Sequence, residues 1–228
     1  MEPFVTLDRR LPQRPLLTDL CRRRTHPARR RDDVRPPAAP ASPGEVAIGI
    51  AASGLRRVVV VSAAPDEAFH GGGVLARALL ETGVRPVLVD LLADGRAGRE
   101  LGLAETLVGL SAVADGTAGI ADAIHRDPFT AVHVVPSGGY DAASAGAAEA
   151  ARIAFALSAL EQGYGVSVVE CSLTALLQTP GLLDAESGLI VSGSAAAMTR
   201  VSSILALLDG KGLRDGVAMR VARSADAV

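Results

Sequence analysis

The apolar positions of this chain form two kinds of segment that alternate from Leu55 onward: short β-branched runs and longer alanine- and leucine-rich stretches. Short continuous apolar runs are typical of strands buried on both faces, and the longer stretches are typical of helices. The pattern predicts six strands, at 58–62, 87–91, 132–135, 166–171, 188–192 and 216–221. It predicts five helices, at 72–81, 120–126, 145–162, 173–178 and 197–208, with shorter helical turns around Arg99 and Glu105. We therefore expect an α/β fold with a doubly wound, mostly parallel sheet and a functional crevice at the carboxyl ends of its strands.

The first 46 residues have a different composition, rich in arginine and proline. Ten arginines against six acidic residues give this segment a net charge of +4. The net charge of the full chain is −2, so the remaining residues carry −6. The segment predicts a disordered tail at 1–46 and a single globular domain at 47–228. A basic arm can bind anionic lipid, nucleic acid or an acidic partner. Nucleic-acid binding favours aromatic residues between the basic ones, and none lie between these arginines. A solvated linker is therefore the preferred interpretation, and nucleic acid is not expected as a partner.

Composition also predicts the kind of core and the cellular setting. An apolar fraction of 49% with only 3% aromatic residues predicts a sizeable aliphatic core. Cys21 and Cys171 are too few for a disulfide framework and lack metal-type spacing, which favours a reducing cytoplasmic setting with inert thiols. No apolar run approaches the roughly 18 residues that would span a bilayer, so a soluble protein is expected.

The loop after the first predicted strand has the layout of a phosphate-binding loop, a strand followed by a loop and the start of a helix. The residues concerned are Pro65, Asp66, Glu67, Ala68, Phe69, His70 and Gly71. A working loop of this kind carries lysine and then serine or threonine near the helix start, to hold the β- and γ-phosphates and magnesium. Here those positions hold Phe69 and His70, and the only lysine of the chain, Lys211, lies about 140 residues downstream of Phe69.

Several motifs occur in the order found in one known family. The segment 62–67, Ser-Ala-Ala-Pro-Asp-Glu, resembles the Ser-x-x-Pro-Gly-Glu loop opening of the bacterial tyrosine kinases of exopolysaccharide assembly, which are related to ParA- and MinD-type ATPases. The segment 84–90 resembles that family's second strand, which ends in an aspartate, here Asp90. The segments 109–116 and 133–138 resemble its Gly-Leu-Ser motif and its strand ending in Pro-x-Gly. The resemblance extends over about residues 56–221.

The same comparison reveals departures from the family pattern. The family's second aspartate is Leu92 here, and Glu170 stands where the family has an Asp-x-Pro-Pro strand end. Only Tyr140 and Tyr164 are present, so the family's C-terminal tyrosine cluster is missing. The resemblance thus implies a degenerate nucleotide site made of Pro65, Asp66, Glu67, Ala68, Phe69, His70, Gly71, Asp90 and Glu170, with no catalytic residue, and neither ATP nor magnesium is expected as a resident cofactor.

The function implied is that of a non-catalytic relative, a regulatory or docking subunit of a polysaccharide export complex. Its implied partners are a membrane co-polymerase, an intact kinase homologue or further copies of the chain. The arginine-rich tail adds attraction to the anionic inner membrane leaflet, which predicts a cytoplasmic protein held peripherally at the inner membrane.

Other interpretations of these residues stay open at this stage. A divergent ATPase or tyrosine kinase could retain weak binding through the amides of residues 71–73 with Asp90 and Glu170. A Rossmann-type dinucleotide domain would use the Gly-x-Gly-x-x-Ala pattern of residues 71–76 with Asp90 on a ribose. Asp66, Glu67 and His70 could form a metal or acid–base cluster, although solvated helix-capping carboxylates are preferred.

Two further patterns receive structural interpretations. His70 with the three glycines after it resembles the oxyanion loop of lipases, but no serine lies in the Gly-x-Ser-x-Gly elbow that those enzymes need. His125, Asp127 and Pro128 are expected to end a helix.

Overall fold

The computed structural model describes residues 39–64, 71–104, 107–179, 181–184, 186–213 and 215–222. Residues 1–38 of the predicted tail lie outside these ranges, as do loop residues 65–70 and the turn predicted around Glu105.

Seven strands form one sheet in the described part of the chain. They are β1 Arg57–Ser62, β2 Pro86–Asp90, β3 His125–Arg126, β4 His133–Val135, β5 Val166–Cys171, β6 Ser187–Gly193 and β7 Val217–Arg220. Their order across the sheet is β3-β4-β2-β5-β1-β6-β7, and every neighbouring pair is parallel except β3 with β4. The predicted α/β class with a mostly parallel sheet is confirmed.

Helices cover both faces of the sheet. They are α1 Pro43–Ser53, α2 Gly71–Glu81, α3 Arg96–Glu100, α4 Leu110–Asp115, α5 Ala147–Gly163, α6 Leu173–Gln178 and α7 Met198–Gly210, with 3₁₀ turns at Ile120–Ala123 and Ala195–Ala197. Alternate side chains of β1 divide between two buried clusters: Val58 and Val60 pack with the α1, α2 and α3 side, and Val59 and Val61 with the side of α4 to α7. The sheet is therefore doubly wound, because each strand buries side chains on both faces.

The helix predicted at 120–126 is wrong. Its first four residues form a 3₁₀ turn, and His125 and Arg126 then pair antiparallel with β4. The physical reason is the turn that follows, in which the Asp127 carboxylate accepts hydrogen bonds from the Phe129 N–H and the Thr130 hydroxyl. This turn reverses the chain into β4, so His125 lies in a strand and not at a helix end.

The fold begins before the predicted boundary at residue 46. Ala41 bridges to Met219 beside β7 through two backbone hydrogen bonds of 2.9 Å. Ser42 then caps α1 in a capping box with Glu45, and Val46 is buried. Within the described residues, no helix combines the length and apolar character needed to cross a membrane.

Candidate functional site at the carboxyl edge of the sheet

Two carboxylates lie side by side at the carboxyl edge of the sheet. Asp90 ends β2 and Glu170 lies near the end of β5, and the two residues are partners in the strand register. Both are fully buried, and both face the side of the sheet that α2 covers, as do Leu88 and Val168 two residues before them. Strand pairing thus brings together two residues that are 80 positions apart in the sequence.

Glu170 bonds to the first turn of α2. Its Oε2 accepts a hydrogen bond of 2.8 Å from the Gly72 N–H, and its Oε1 accepts one of 3.0 Å from the Ser62 hydroxyl. The hydroxyl oxygens of Ser62 and Ser192 are 3.3 Å apart, so the polar cluster extends across β5, β1 and β6. A carboxylate at a helix N-terminus is stabilised by the free backbone N–H groups and by the positive end of the helix dipole.

The glycines that open α2 permit this close approach. A Cβ atom at Gly72 would lie 2.3 Å from Glu170 Oε2, and one at Gly71 would lie 2.3 Å from Ser192 Oγ. Contacts this short are excluded between real atoms, so the start of the helix can lie directly on the polar cluster only because these positions lack side chains.

Asp90 has the same role for a second helix. Its Oδ2 accepts a hydrogen bond of 3.0 Å from the Gly98 N–H in α3, and its Oδ1 accepts one of 2.9 Å from the Leu92 N–H. The two carboxylates therefore cap two different helices from the end of the sheet.

The structure brings together three of the predicted site residues: Gly71, Asp90 and Glu170. The other six, Pro65, Asp66, Glu67, Ala68, Phe69 and His70, lie outside the described residues. Sequence reasoning missed Ser62 and Ser192 as members of the cluster. The signal that could have found them is a serine at the carboxyl end of an otherwise apolar buried strand.

Two of the motifs behind the family resemblance meet in space. The Leu110 and Ser111 N–H groups donate hydrogen bonds of 2.8 and 3.0 Å to the carbonyls of Pro136 and Ser137. The Gly-Leu-Ser segment is thereby held against the Pro-x-Gly segment that follows β4. A cavity of about 230 Å³, lined by Arg99 and Ser137 among others, opens beside this contact.

The carboxylates of Asp90 and Glu170 are already engaged by donors of the protein itself. Each of the four carboxylate oxygens of Asp90 and Glu170 accepts a hydrogen bond from a protein donor, so a magnesium ion or its bound water would have to share these oxygens with that donor. Over the ranges that the structure describes, no group of three His, Cys, Asp or Glu side chains could hold a metal ion.

The strand order also argues against a dinucleotide domain. A Rossmann sheet has the order 3-2-1-4-5-6, in which the first two strands are neighbours. Here β5 lies between β1 and β2, so α2 and Asp90 are not arranged as in that fold.

The remaining titratable group of β5 is the buried thiol of Cys171. Burial, together with the neighbouring Glu170, strongly raises the pKa of the Cys171 thiol. Both effects support the expectation of an unreactive thiol at Cys171, since the thiolate is the reactive form.

Comparison with known proteins identifies the fold. No protein-family model matches the chain, and no curated protein matches its sequence. Among solved structures, the VpsO kinase domain is similar with a TM-score of 0.60 and 17% identity, over 77% of this chain and 90% of that one. The kinase domain of the Escherichia coli tyrosine kinase ETK is similar with a TM-score of 0.57 and 12% identity, over 79% and 76%.

The chain has the fold of these kinase domains. A third similar structure, the MinC:MinD cell division complex of Aquifex aeolicus, has a TM-score of 0.52 and 14% identity, over 71% of this chain and 66% of that one. The resemblance predicted from the motifs is thus confirmed at the level of the fold, which is of the P-loop NTPase type.

Proposed function

We propose that this chain is a non-catalytic relative of the exopolysaccharide tyrosine kinases and acts as a regulatory or docking subunit of a polysaccharide export complex. The proposed partners are a membrane co-polymerase or an intact kinase homologue. Its mode of action is binding: it occupies the place of a kinase domain in an assembly without transferring phosphate.

The observation that carries this proposal is the bond between Glu170 and the Gly72 N–H at the start of α2. In a P-loop enzyme this helix start faces the anionic phosphates of the nucleotide. The family has an aspartate at this strand end, but Glu170 is one methylene longer and accepts the Gly72 N–H of the helix start itself, so a phosphate placed there would meet its negative charge. The sequence supports the same conclusion, because Phe69 and His70 replace the lysine and the hydroxyl residue that would offset such repulsion.

Calorimetric titration with MgATP and MgADP tests the proposal. The full chain is compared with a Phe69→Lys, His70→Ser double variant and with a triple variant that also carries Glu170→Gln. We expect no binding by the wild type, and binding that appears with the loop changes and strengthens when the carboxylate is neutralised. Phe129→Lys at an exposed position is the matched control for the added charge.

The competing proposal, a divergent ATPase or kinase, predicts the opposite result. Micromolar, magnesium-dependent binding of ATP or ADP by the wild type would contradict the non-catalytic proposal, and phosphotransfer assays would follow. The docking role has its own test, sedimentation-velocity analysis of the chain mixed with a kinase-domain homologue. A heterocomplex supports it, and two independent boundaries at high concentration count against it.

A further inference from the structure

A second cavity lies at the opposite, amino-terminal end of the sheet. It has a volume of about 330 Å³ and opens where β2 and β4 begin. Leu80, Pro86 and Ala131 contribute its apolar wall. The volume falls in the lower part of the range of small-molecule sites, about 300–1,000 Å³. Because nucleotide sites of parallel α/β sheets lie at the carboxyl edge, this cavity is separate from the site described above.

Two arginines and a histidine line the same cavity. Arg85 and Arg126 are both exposed, and His133 is half-buried on β4, which lies between β3 and β2. In the described ranges, neither guanidinium has a carboxylate partner: Arg126 donates through Nε to the Thr130 carbonyl at 3.3 Å, and Arg85 lies over an aromatic ring.

The strand register explains this grouping. Arg126 in β3 pairs directly with His133 in β4, which pairs in turn with Val87 in β2. Paired residues of neighbouring strands point to the same face, so Arg126 and His133 share one face of the sheet edge. Arg85 lies two residues before Val87, at the point where β2 begins.

Tyr164 fixes the polar side of the cavity. Its hydroxyl oxygen lies 2.5 Å from His133 Nδ1, and its ring carries the Arg85 guanidinium 5.8 Å above the centroid. The Tyr164 backbone is held as well, because the Gly165 N–H donates to the Arg85 carbonyl at 2.9 Å. Two of the cavity's cationic or polar side chains are thus positioned by contacts within the protein before any ligand arrives, which lowers the entropy cost of binding.

We propose that this cavity binds a small anionic ligand with a compact, ring-sized apolar body, such as an aryl phosphate. The apolar body lies against Leu80, Pro86 and Ala131, and the anionic group lies between Arg85 and Arg126 with His133 as a further donor. Guanidinium groups match the planar, bidentate geometry of phosphate oxygens, and an apolar wall with a few converging polar groups is the usual composition of a ligand site. The inference does not depend on the proposed function, because it concerns the opposite edge of the sheet.

Phenyl phosphate is the probe that tests it, titrated into the full ¹⁵N-labelled chain and followed by amide chemical shifts. We expect saturable shifts at Ala131, Tyr164 and Gly165, and none at Gly72. Phenol and inorganic phosphate, which each supply half of the ligand, should bind at least about tenfold more weakly, because each keeps only one of the two kinds of contact.

The variants Arg85→Gln and Arg126→Gln should each weaken phenyl phosphate binding about tenfold, the effect of one charge-assisted hydrogen bond. Arg220→Gln is the matched control, an exposed arginine on β7 at the far edge of the sheet, and should leave binding unchanged. Thermal melts confirm that each variant is folded. The proposal is overturned by the absence of saturable shifts up to about 10 mM probe, where even an inefficient fragment of this size would register. It is also overturned if inorganic phosphate binds as tightly as phenyl phosphate, or if the two cavity variants bind like the control.

Discussion

At the scale of single residues, the start of α2 depends on the absence of a side chain at Gly72. In Gly72→Ala the new Cβ would lie 2.3 Å from Glu170 Oε2, so either the helix or the buried carboxylate must move. We expect the free energy of unfolding to fall by about 2–3 kcal/mol, as for other overpacked buried sites. Urea denaturation measures the change.

Gly44 provides the matched control for that substitution. It lies in α1, a Cβ added there would have no other atom within 4 Å, and its φ is not positive. Gly44→Ala should therefore raise stability by about 0.5–1 kcal/mol through helix propensity alone. Equal effects of the two substitutions would show that the contact with Glu170 is not close in solution.

Ser167 presents the opposite case, a buried polar atom without a partner. Its hydroxyl is the one buried side-chain polar atom in the described part of the chain that makes no hydrogen bond. Since an unsatisfied buried hydroxyl costs about 1–3 kcal/mol, Ser167→Ala should raise the free energy of unfolding, by up to about 1 kcal/mol after the lost packing. Ser192→Ala, which removes a buried hydroxyl that has a partner, should lower it in the same denaturation experiment. A loss of stability in Ser167→Ala would indicate a bound water at that hydroxyl.

At the scale of elements, the turn between β3 and β4 is organised by the buried Asp127. Burial by itself would raise the pKa of this carboxyl, but hydrogen bonds from Thr130 and the Phe129 N–H, together with the Arg77 guanidinium, lower it below its ordinary value. A carboxyl whose pKa is lowered in the folded state stabilises the fold above its unfolded pKa, and this contribution is lost as the pH falls through the folded pKa.

Asp127→Asn should therefore lower stability in a pH-dependent way. At neutral pH we expect a loss of about 1–2 kcal/mol, the value of charge-assisted hydrogen bonds to a buried group. The difference from the wild type should stay constant above about pH 5 and shrink below about pH 4, where the carboxyl of the unfolded wild-type chain takes up a proton, until the pH reaches the lowered pKa of the folded chain. Thermal unfolding across that range measures it, with the exposed Asp115→Asn expected to change stability by less than about 0.5 kcal/mol. A pH-independent difference would contradict the charge-based account.

The elements differed in how well the sequence predicted them. Each predicted bound of the six longer strands lies within one residue of the observed bound, because strands buried on both faces are continuous β-branched runs. The two-residue β3 has no such run, and its Asp-Pro turn was interpreted as a helix end. Helix α1 was missed because its proline and alanine content matches the tail that precedes it.

At the scale of the whole molecule, the arrangement of the candidate site follows from the strand order and register, which no local sequence pattern reveals. Asp90 and Glu170 were each identified from the sequence, but their pairing follows from the insertion of β5 between β1 and β2. The capping of α2 by Glu170 could not be predicted either, since it requires the register of β5 and the close approach of Gly72 together. The family resemblance was enough to predict the fold. Only the structure shows that each carboxylate oxygen of Asp90 and Glu170 accepts a hydrogen bond from a protein donor.

The distribution of charge over the whole chain leads to a prediction about membranes. Residues 1–38 carry ten arginines against five acidic residues, a net charge of +5. Since the net charge of the full chain is −2, the rest of the chain carries −7. A cut after residue 38 separates these charges and keeps every described residue of the fold. A cut after residue 46 would also remove the Ala41 bridge and the Ser42 cap.

We propose that the basic segment holds the protein at anionic lipid, because each arginine near such a surface contributes about 1 kcal/mol. The full chain should sediment with phosphatidylglycerol-containing vesicles at low salt, and the chain that begins at residue 39 should stay in the supernatant. Neither should sediment with phosphatidylcholine vesicles, and salt should release the full chain, since screening shortens the reach of the charges to about 8 Å at physiological ionic strength. If the shortened chain sedimented as well as the full one, the attraction would lie in the negatively charged domain, against its net electrostatics, and the proposed role of the arginines would be wrong.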